Sequence, residues 1–181
     1  MIPIDQDLRY IEQLDAASFR QLMETYGQEV WNLAYLVTKK RDMADDIAQE
    51  VFIKAYRGIA AFRGASSIKT WLLVMTRNTA ISYKRSAFLR KVTLVDRITD
   101  RGGNPSAEQE ALANQFSDDI WREVLKLPLK LREVLLLHAQ FEMTTKEIAD
   151  LLQVTEGTVR SRLFRARKNM MRNWKEAAAY E

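Results

Sequence analysis

The sequence contains no cysteine and a single histidine. Without cysteine the chain forms no disulfide bond and offers no thiolate to a metal, and one histidine is too few for the usual zinc sites. The sequence shows no serine, histidine and aspartate arrangement, no glycine-rich phosphate loop and no HExxH pattern. We therefore expect no enzyme, no catalytic residue, no metal site and no cofactor.

Helix breakers are also scarce, with six glycines and three prolines in 181 residues. Long stretches rich in Leu, Ala, Arg, Lys, Glu and Gln run without interruption, which predicts an all-α fold. The first residues lack a basic leader followed by an apolar core, and no run approaches the roughly 18 apolar residues of a membrane span. These absences favour a cytoplasmic protein.

The apolar periodicity divides the chain into two small helical domains joined by a flexible linker. The first domain covers residues 1–86 and the second covers residues 116–181. Between them, periodicity fades over residues 87–115, which include the turn-rich run DRGGNPS at 100–106. We expect this segment to be the linker.

Three helices are predicted in the first domain. The first starts at residues 16–18, and the second follows Asp42, which is a suitable N-cap residue. Ser66 or Ser67 caps the third helix, which runs on to residues 85–86. We expect these three helices to form one compact helical bundle.

The second domain ends in a helix, a tight turn and a basic helix. Thr144 and Glu147 have the spacing of a capping box at the start of the first of these helices. In the second, Val159 and Leu163 belong to an apolar stripe, whereas residues 158–175 carry seven Lys or Arg and no acid. A helix that is buried on one face and basic on the other suits the DNA major groove, although a helical hairpin with a solvated basic face has the same pattern.

An acidic cluster, Asp42, Asp45, Asp46 and Glu50, lies on the second predicted helix. Like charges four residues apart cost roughly a few tenths of a kcal/mol. The cluster is either a solvated helix face or a docking surface for a basic partner. A metal site or catalytic pair is disfavoured because no His or Cys stands nearby.

Aromatic and cationic residues alternate in the segment 62–85. Aromatic faces stack on unpaired bases while cations follow the phosphate backbone, and Phe62, Trp71 and Tyr83 are the aromatic candidates here. The interleaved cations are Arg63, Lys69, Arg77, Lys84 and Arg85. Phe62 and Trp71 are equally suited to the core. Asn78 and Ser82, four residues apart, have polar side chains that are not expected in a core.

These motifs resemble the conserved regions of bacterial sigma factors. The stretch DDIAQEVFIKAY at 45–56 resembles region 2.2. Three short stretches resemble regions 2.3 and 2.4: FRG at 62–64, TWL at 70–72 and NTA at 78–80. Three further stretches resemble regions 4.1 and 4.2: LPLKLREVLLL at 127–137, TKEIA at 145–149 and GTVRSRLFRAR at 157–167. In length and two-domain layout the chain is similar to the extracytoplasmic-function (ECF, group 4) sigma factors.

The resemblance implies a protein that binds RNA polymerase core and directs it to promoters. The expected partners are the β′ coiled coil and the β flap of polymerase, promoter DNA, and an anti-sigma factor that is often anchored in the membrane. The free protein is expected to be a monomer.

The resemblance also implies three groups of site residues. Core polymerase binding falls to Asp45, Asp46, Ile47, Gln49, Glu50 and Phe52, with the apolar members as packing support. Recognition of the −10 element as a melted strand falls to Phe62, Arg63, Ser66, Lys69, Arg77, Asn78, Ser82, Lys84 and Arg85. Recognition of the −35 element as duplex falls to Glu156, Thr158, Arg160, Ser161, Arg162, Phe164, Arg165 and Lys168.

Two other functions have the same sequence features. A conventional helix-turn-helix regulator would use residues 1–86 as a sensor or dimerisation domain, and it would bind a palindromic site as a homodimer. A helical adaptor would use its basic face to bind an acidic protein, with weak dependence on DNA sequence. The sigma-factor interpretation instead predicts a monomer and an asymmetric site with two elements.

Overall fold

The computed structural model describes residues 15–62, 64–94 and 119–178; for residues 89–94, 119 and 174–178 it describes the backbone alone. The regular structure of these ranges is α-helical apart from one short 3-10 turn, and they contain no strand. The predicted all-α fold is therefore confirmed. The chain divides into two compact units, Met1–Asp100 (unit 1) and Arg101–Glu181 (unit 2).

Within the described residues of unit 1, three long helices all contact one another. They are α1 (Ala16–Thr38), α2 (Arg41–Gly58) and α3 (Ile68–Leu94), with a 3-10 turn, Ile59–Ala61, after α2. The Asp15 side chain caps α1 by accepting the N–H of Ser18 at 2.7 Å. At the other end, Lys39 adopts a left-handed backbone (φ 58°) and its N–H donates to the Tyr35 carbonyl. These two signals fix where α1 starts and where the chain turns back into α2.

The core of unit 1 follows the helical repeat of its sequence. On α1, Val30, Leu33, Ala34 and Val37 recur at steps of three, one and three, and all are buried. The buried residues of the other elements are Ala44, Ile47, Val51, Phe52, Ala55, Ile59, Phe62, Ile68, Leu72, Leu73, Thr76, Thr79 and Ala80. Each large apolar side chain in such a core contributes roughly 1.5–3 kcal/mol through burial.

The start of α2 differs from the prediction. The helix begins at Arg41 after an extended Lys40, so Asp42 lies inside the first turn and is not the N-cap. A carboxylate in the first turn still faces the positive end of the helix dipole, which explains why the residue type suggested a cap.

The third helix has the predicted start but a later end. The Ser67 hydroxyl accepts the N–H of Thr70 at 3.0 Å, which is the expected capping geometry. The helix then continues beyond Ser86 to Leu94, so the first eight residues assigned to the linker are helical. Residues 87–94 contain no Gly or Pro, and a helix that has already formed propagates without an apolar stripe. Residues 95–115 of the predicted linker lie outside the described residues.

The described part of unit 2, residues 119–178, contains four helices. They are α4 (Asp119–Lys126), α5 (Leu129–Ala139), α6 (Thr145–Leu152) and α7 (Glu156–Ala178). The predicted interruption at Leu127-Pro128 separates α4 from α5. The predicted capping box is present at α6, where the Thr144 hydroxyl accepts the N–H of Glu147 and the Glu147 carboxylate accepts the N–H of Thr144.

The turn between α6 and α7 is closed by Gln153. This residue has a left-handed backbone (φ 55°), and its N–H donates to the carbonyls that end α6. Its side-chain Nε2 also donates to the Asp150 carbonyl at 2.7 Å. Ile148, Leu152 and Val159 are buried on either side of the turn, so α6 and α7 form the predicted helix-turn-helix.

A buried arginine joins α4 to α5. Arg132 is only 2% exposed, and its Nη1 donates to the carbonyls of Leu125 at 2.9 Å and Leu127 at 3.4 Å. These are carbonyls at the end of α4 that have no partner within their own helix. Burial lowers the pKa of the Arg132 guanidinium, which nevertheless remains charged at neutral pH.

Within the described ranges, no helix is both long and apolar enough to cross a bilayer. The same ranges hold no cluster of three or more potential metal ligands.

Candidate nucleic-acid and protein interfaces

The basic helix α7 separates buried and exposed residues as its sequence predicts. Val159, Leu163 and Ala166 are buried against the rest of unit 2. The opposite face exposes Arg160, Ser161, Phe164, Arg165 and Lys168, while Glu156, Thr158 and Arg162 are half-buried. All eight residues predicted to contact the −35 element therefore lie on one helix, and none is part of its buried stripe. The phenyl ring of Phe164 is 68% accessible, so it is available on the same face as the exposed arginines.

The first turn of α7 is held by side-chain hydrogen bonds. The Thr155 hydroxyl accepts the N–H of Thr158 at 3.2 Å and caps the helix. Glu156 Oε2 lies 2.7 Å from Arg160 Nη2, one helical turn later. The same oxygen accepts the Thr145 hydroxyl of α6 at 3.2 Å. The start of the basic helix is thus tied to the helix before it.

The acidic face of unit 1 lies on α2. Asp45, Asp46 and Gln49 are exposed, whereas Ile47 and Phe52 lie in the core. The two apolar residues assigned to polymerase binding therefore support the face from below and do not reach its surface. The exposed part of this face consists of carboxylates and an amide.

Two carboxylates of α2, those of Asp45 and Glu50, accept hydrogen bonds from other helices. Asp45 Oδ1 accepts the indole N–H of Trp31, on α1, at 2.6 Å. Glu50 Oε1 pairs with Lys54 at 2.6 Å, and its Oε2 accepts the Tyr83 hydroxyl of α3 at 2.7 Å. The hydrogen bond from Lys54, followed by that from Tyr83, lowers the pKa of the Glu50 carboxyl. Both ends of the acidic face are therefore positioned by hydrogen bonds within unit 1.

The residues predicted to read the −10 element occupy two kinds of position. Ser66, Asn78, Ser82 and Arg85 are exposed. Phe62 is buried, with its ring 5.2 Å from that of Trp71. Its ring packs in the core of unit 1, so its burial does not support the assignment of Phe62 to the −10 element, which stays a prediction. Arg63 lies outside the described residues.

Two cations of this segment, Lys69 and Lys84, bond to residues of α1. Lys69 Nζ pairs with Glu29 of α1 at 2.9 Å, and both side chains are about two-thirds covered. Lys84 Nζ donates to the Val37 carbonyl, at 3.3 Å, near the end of α1. Arg77 is half-buried, and its Nη1 reaches the side-chain oxygen of Asn78 at 3.5 Å. Helix α1 thus helps to place the cations that α3 carries.

Four residues of these surfaces were missed from the sequence: Glu29, Trp31, Tyr35 and Thr145. Trp31 and Tyr35 are four residues apart on α1, and their rings stack with centroids 5.3 Å apart. That spacing is a readable signal for a stacked pair. Glu29 and Thr145 gave no signal, because their partners stand 40 and 11 residues away in the chain.

Comparison with known proteins identifies both units. Residues 22–89 match the family model for sigma-70 region 2, and residues 117–170 match the model for sigma-70, region 4. The RNA polymerase sigma-H factor of Pseudomonas aeruginosa is 32% identical over 180 residues, with 93% of each chain covered. The ECF RNA polymerase sigma-E factor of Escherichia coli K12 is 33% identical over 169 residues, with 87% of each chain covered.

A solved structure shares the fold. The sigma factor RpoE of Bartonella quintana, crystallised with the anti-sigma factor NepR, aligns with a TM-score of 0.69 at 23% identity. The alignment covers 88% of this chain and 98% of that one.

The chain is thus an all-α transcription factor built from two units. Unit 1 carries the acidic face, and unit 2 carries the helix-turn-helix. The chain belongs to the sigma-70 family of RNA polymerase sigma factors, in its ECF group. It is a promoter-directing factor, and sigma factors are regulators of transcription and not enzymes.

Proposed function

We propose that the two units divide promoter recognition between them. Unit 1 docks on RNA polymerase core through the exposed residues of α2 and reads the −10 element as a melted strand. Unit 2 reads the −35 element as duplex through α7. Polymerase sets the distance between the two elements, so neither unit needs high affinity for DNA alone.

The surface of α7 is the single observation that carries this proposal. A helix-turn-helix inserts the N-terminal part of its second helix into the major groove. In that part of α7, Arg160, Ser161 and Arg165 are exposed on the face opposite the buried stripe. Arginine donates in pairs to guanine, while Lys168 and Arg162 have the charge and position suited to phosphate.

The proposed −10 surface lies on α3 of unit 1. Asn78 and Ser82 are exposed one turn apart and offer donors and acceptors to the edge of an unpaired base. Lys69, Lys84 and Arg85 supply positive charge on the same helix. A polar surface flanked by cations suits a single strand, in which base edges are accessible.

The proposed docking partner of α2 is the coiled coil of the β′ subunit, and that of unit 2 is the β flap. Exposed carboxylates at Asp45 and Asp46 favour a basic partner through charge complementarity. An anti-sigma factor is a further proposed partner, because the Bartonella relative was solved with one. Such a factor, if anchored in the membrane, would hold this cytoplasmic protein at the membrane face.

Run-off transcription tests the proposal directly. Purified RNA polymerase core is combined with fragmented genomic DNA from the host, with and without the full chain. We expect discrete transcripts that depend on the protein, whose upstream regions share two short elements. A palindromic site bound by a homodimer, detected by light scattering and footprinting, would instead establish the conventional regulator.

The free chain should bind promoter fragments weakly, since each unit alone recognises only a few base pairs. Fluorescence anisotropy at physiological salt measures this affinity without polymerase. A nanomolar dissociation constant for the free chain would contradict the proposed division of labour.

A further inference from the structure

An exposed ion pair stands at the start of the recognition helix. Glu156 Oε2 lies 2.7 Å from Arg160 Nη2, and the two side chains are 40% and 67% exposed. The same Glu156 oxygen accepts the Thr145 hydroxyl at 3.2 Å. Three side chains thus form a line from the first residue of α6 to the face of α7 that is proposed to meet DNA.

The ion pair contributes little to stability, because exposed pairs gain modest Coulomb energy and are screened by salt. A carboxylate at a DNA-facing surface also repels phosphate, which lowers affinity for every sequence. The helix dipole also favours a carboxylate in the first turn of α7. Neither effect depends on the hydrogen bond between Glu156 and Arg160, which is the contact that can act on DNA recognition.

The hydrogen bond to Glu156 restricts the motion of Arg160. Arg160 is long and flexible, and ordering a free arginine costs side-chain entropy when it meets a base. With Nη2 engaged by Glu156, the guanidinium has fewer accessible orientations, and other N–H groups of its five remain to donate. A guanidinium that is already oriented reads one base pair more selectively than one that is free to swing onto a phosphate.

We infer that Glu156, anchored by Thr145, is a positioning residue that fixes Arg160 for base recognition in the −35 element and so sets specificity at one base pair. This inference rests on the proposed reading of the −35 element by α7. Glu156 would act through Arg160 and would not contact a base itself.

The experiment is transcription by core polymerase and the full chain from a pool of promoters randomised across the −35 element, with sequencing of the transcripts. Arg160→Ala first locates the position that Arg160 reads. Glu156→Gln should then reduce the preference at that same position by about five-fold or more, the discrimination of one bidentate contact. Preferences elsewhere in the element should persist, and overall use of weak promoters should rise because a negative charge has been removed.

Two variants control for charge and folding. Asp150→Asn removes the same charge from an exposed site on α6 and should leave every base preference unchanged. Thr145→Val keeps the shape of the residue and the charge of Glu156 but removes the anchoring hydroxyl. It should weaken the preference at the Arg160 position by a smaller factor, which keeps the inference testable if Glu156→Gln folds poorly.

The outcomes are distinguishable. If Arg160→Ala removes a preference that Glu156→Gln and Thr145→Val both leave intact, the positioning role is overturned while the proposed function stands. If Glu156→Gln alters a different position from Arg160→Ala, Glu156 reads a base itself and the inference is again overturned. If the wild-type chain shows no preference anywhere in the −35 element, the proposed function fails.

Discussion

The two units position their functional side chains in different ways. In unit 1 four of the charged candidates on α2 and α3 bond to residues of other helices. They are Asp45, Glu50, Lys69 and Lys84. In unit 2 the candidates lie along one exposed face of α7, and their described bonds gather in its first turns. The surface of unit 1 therefore depends on the tertiary packing of three helices, whereas that of unit 2 depends on where a single helix is placed.

This difference matches the two proposed tasks. Docking on polymerase and holding an unpaired strand both require groups fixed in advance, because a mobile side chain loses entropy on binding. Reading duplex DNA requires side chains that extend beyond the helix into the groove. The same comparison predicts which substitutions act through packing and which act at a single contact.

The largest effect is expected from reversing a charge on the docking surface. Asp46→Arg should reduce affinity for core polymerase about 100-fold, since like charges across an interface cost several kcal/mol. Asp46 is exposed, so the fold should persist. Core affinity is measured by titration with labelled full chain, and circular dichroism checks folding. Glu24→Arg, an equal charge change on exposed α1, is the matched control; similar losses in both variants would refute the α2 docking assignment.

Removing one side chain of the recognition helix should act on DNA alone. Arg165→Ala should lower transcription that depends on the −35 element about ten-fold, within the range for one base contact, and leave core affinity unchanged. Lys168→Ala should instead weaken binding to all sequences and reduce the salt slope by about one, as expected for a phosphate contact. Transcription from matched promoters with intact and scrambled −35 elements separates the two. Equal loss of core binding with Arg165→Ala would mean that α7 does more than contact DNA.

A smaller effect tests whether unit 1 works through its packing. Trp31→Phe keeps an aromatic ring next to Tyr35 but removes the N–H that donates to Asp45. Losing one hydrogen bond to a charged group costs roughly 1.5 kcal/mol when it is fully shielded, and the exposed Asp45 reduces this value. We therefore expect core affinity to fall about three-fold, measured by the same titration. An unchanged affinity would show that Asp45 does not need to be held before docking.

The smallest effect is expected in the pH dependence of the stability of unit 1. Bonds from Lys54 and Tyr83 place the pKa of Glu50 below its ordinary value in the folded state. A carboxyl with a lowered pKa stabilises the fold above its unfolded pKa, and this stabilisation is lost as the pH falls through the folded pKa. The stability difference between wild type and Glu50→Gln should therefore be larger at neutral pH and shrink below about pH 5. Thermal unfolding across that range measures it, with Glu24→Gln as the control for net charge; a difference that is constant with pH would contradict the bonds described for Glu50.

The sequence predicted the local features of this fold and missed the distant ones. The capping box at Thr144, the break at Leu127-Pro128 and the buried stripe of α7 each follow from residues within one or two helical turns. The extension of α3 to Leu94 was missed because a helix that has already formed propagates through residues that carry no start or stop signal.

The candidate surfaces show the same limit. That α7 would expose arginines could be read from periodicity, but that Glu29 holds Lys69 could not, because 40 residues separate them. Phe62 illustrates a further difficulty. An aromatic residue between a 3-10 turn and a loop suits either a base platform or a core, and only the packing against Trp71 decides for the core.

The left-handed backbone of Gln153 has a consequence for how accurately the recognition helix is aimed. A glycine at that position would relieve roughly 1–2 kcal/mol of conformational cost but would also let the turn sample more backbone states. Glutamine restricts those states, and its amide grips the end of α6 through the Asp150 carbonyl. The turn thus combines a conformational cost with a narrower range of backbone states. On the proposed function, a residue outside the group assigned to the −35 element would help to determine which bases α7 meets.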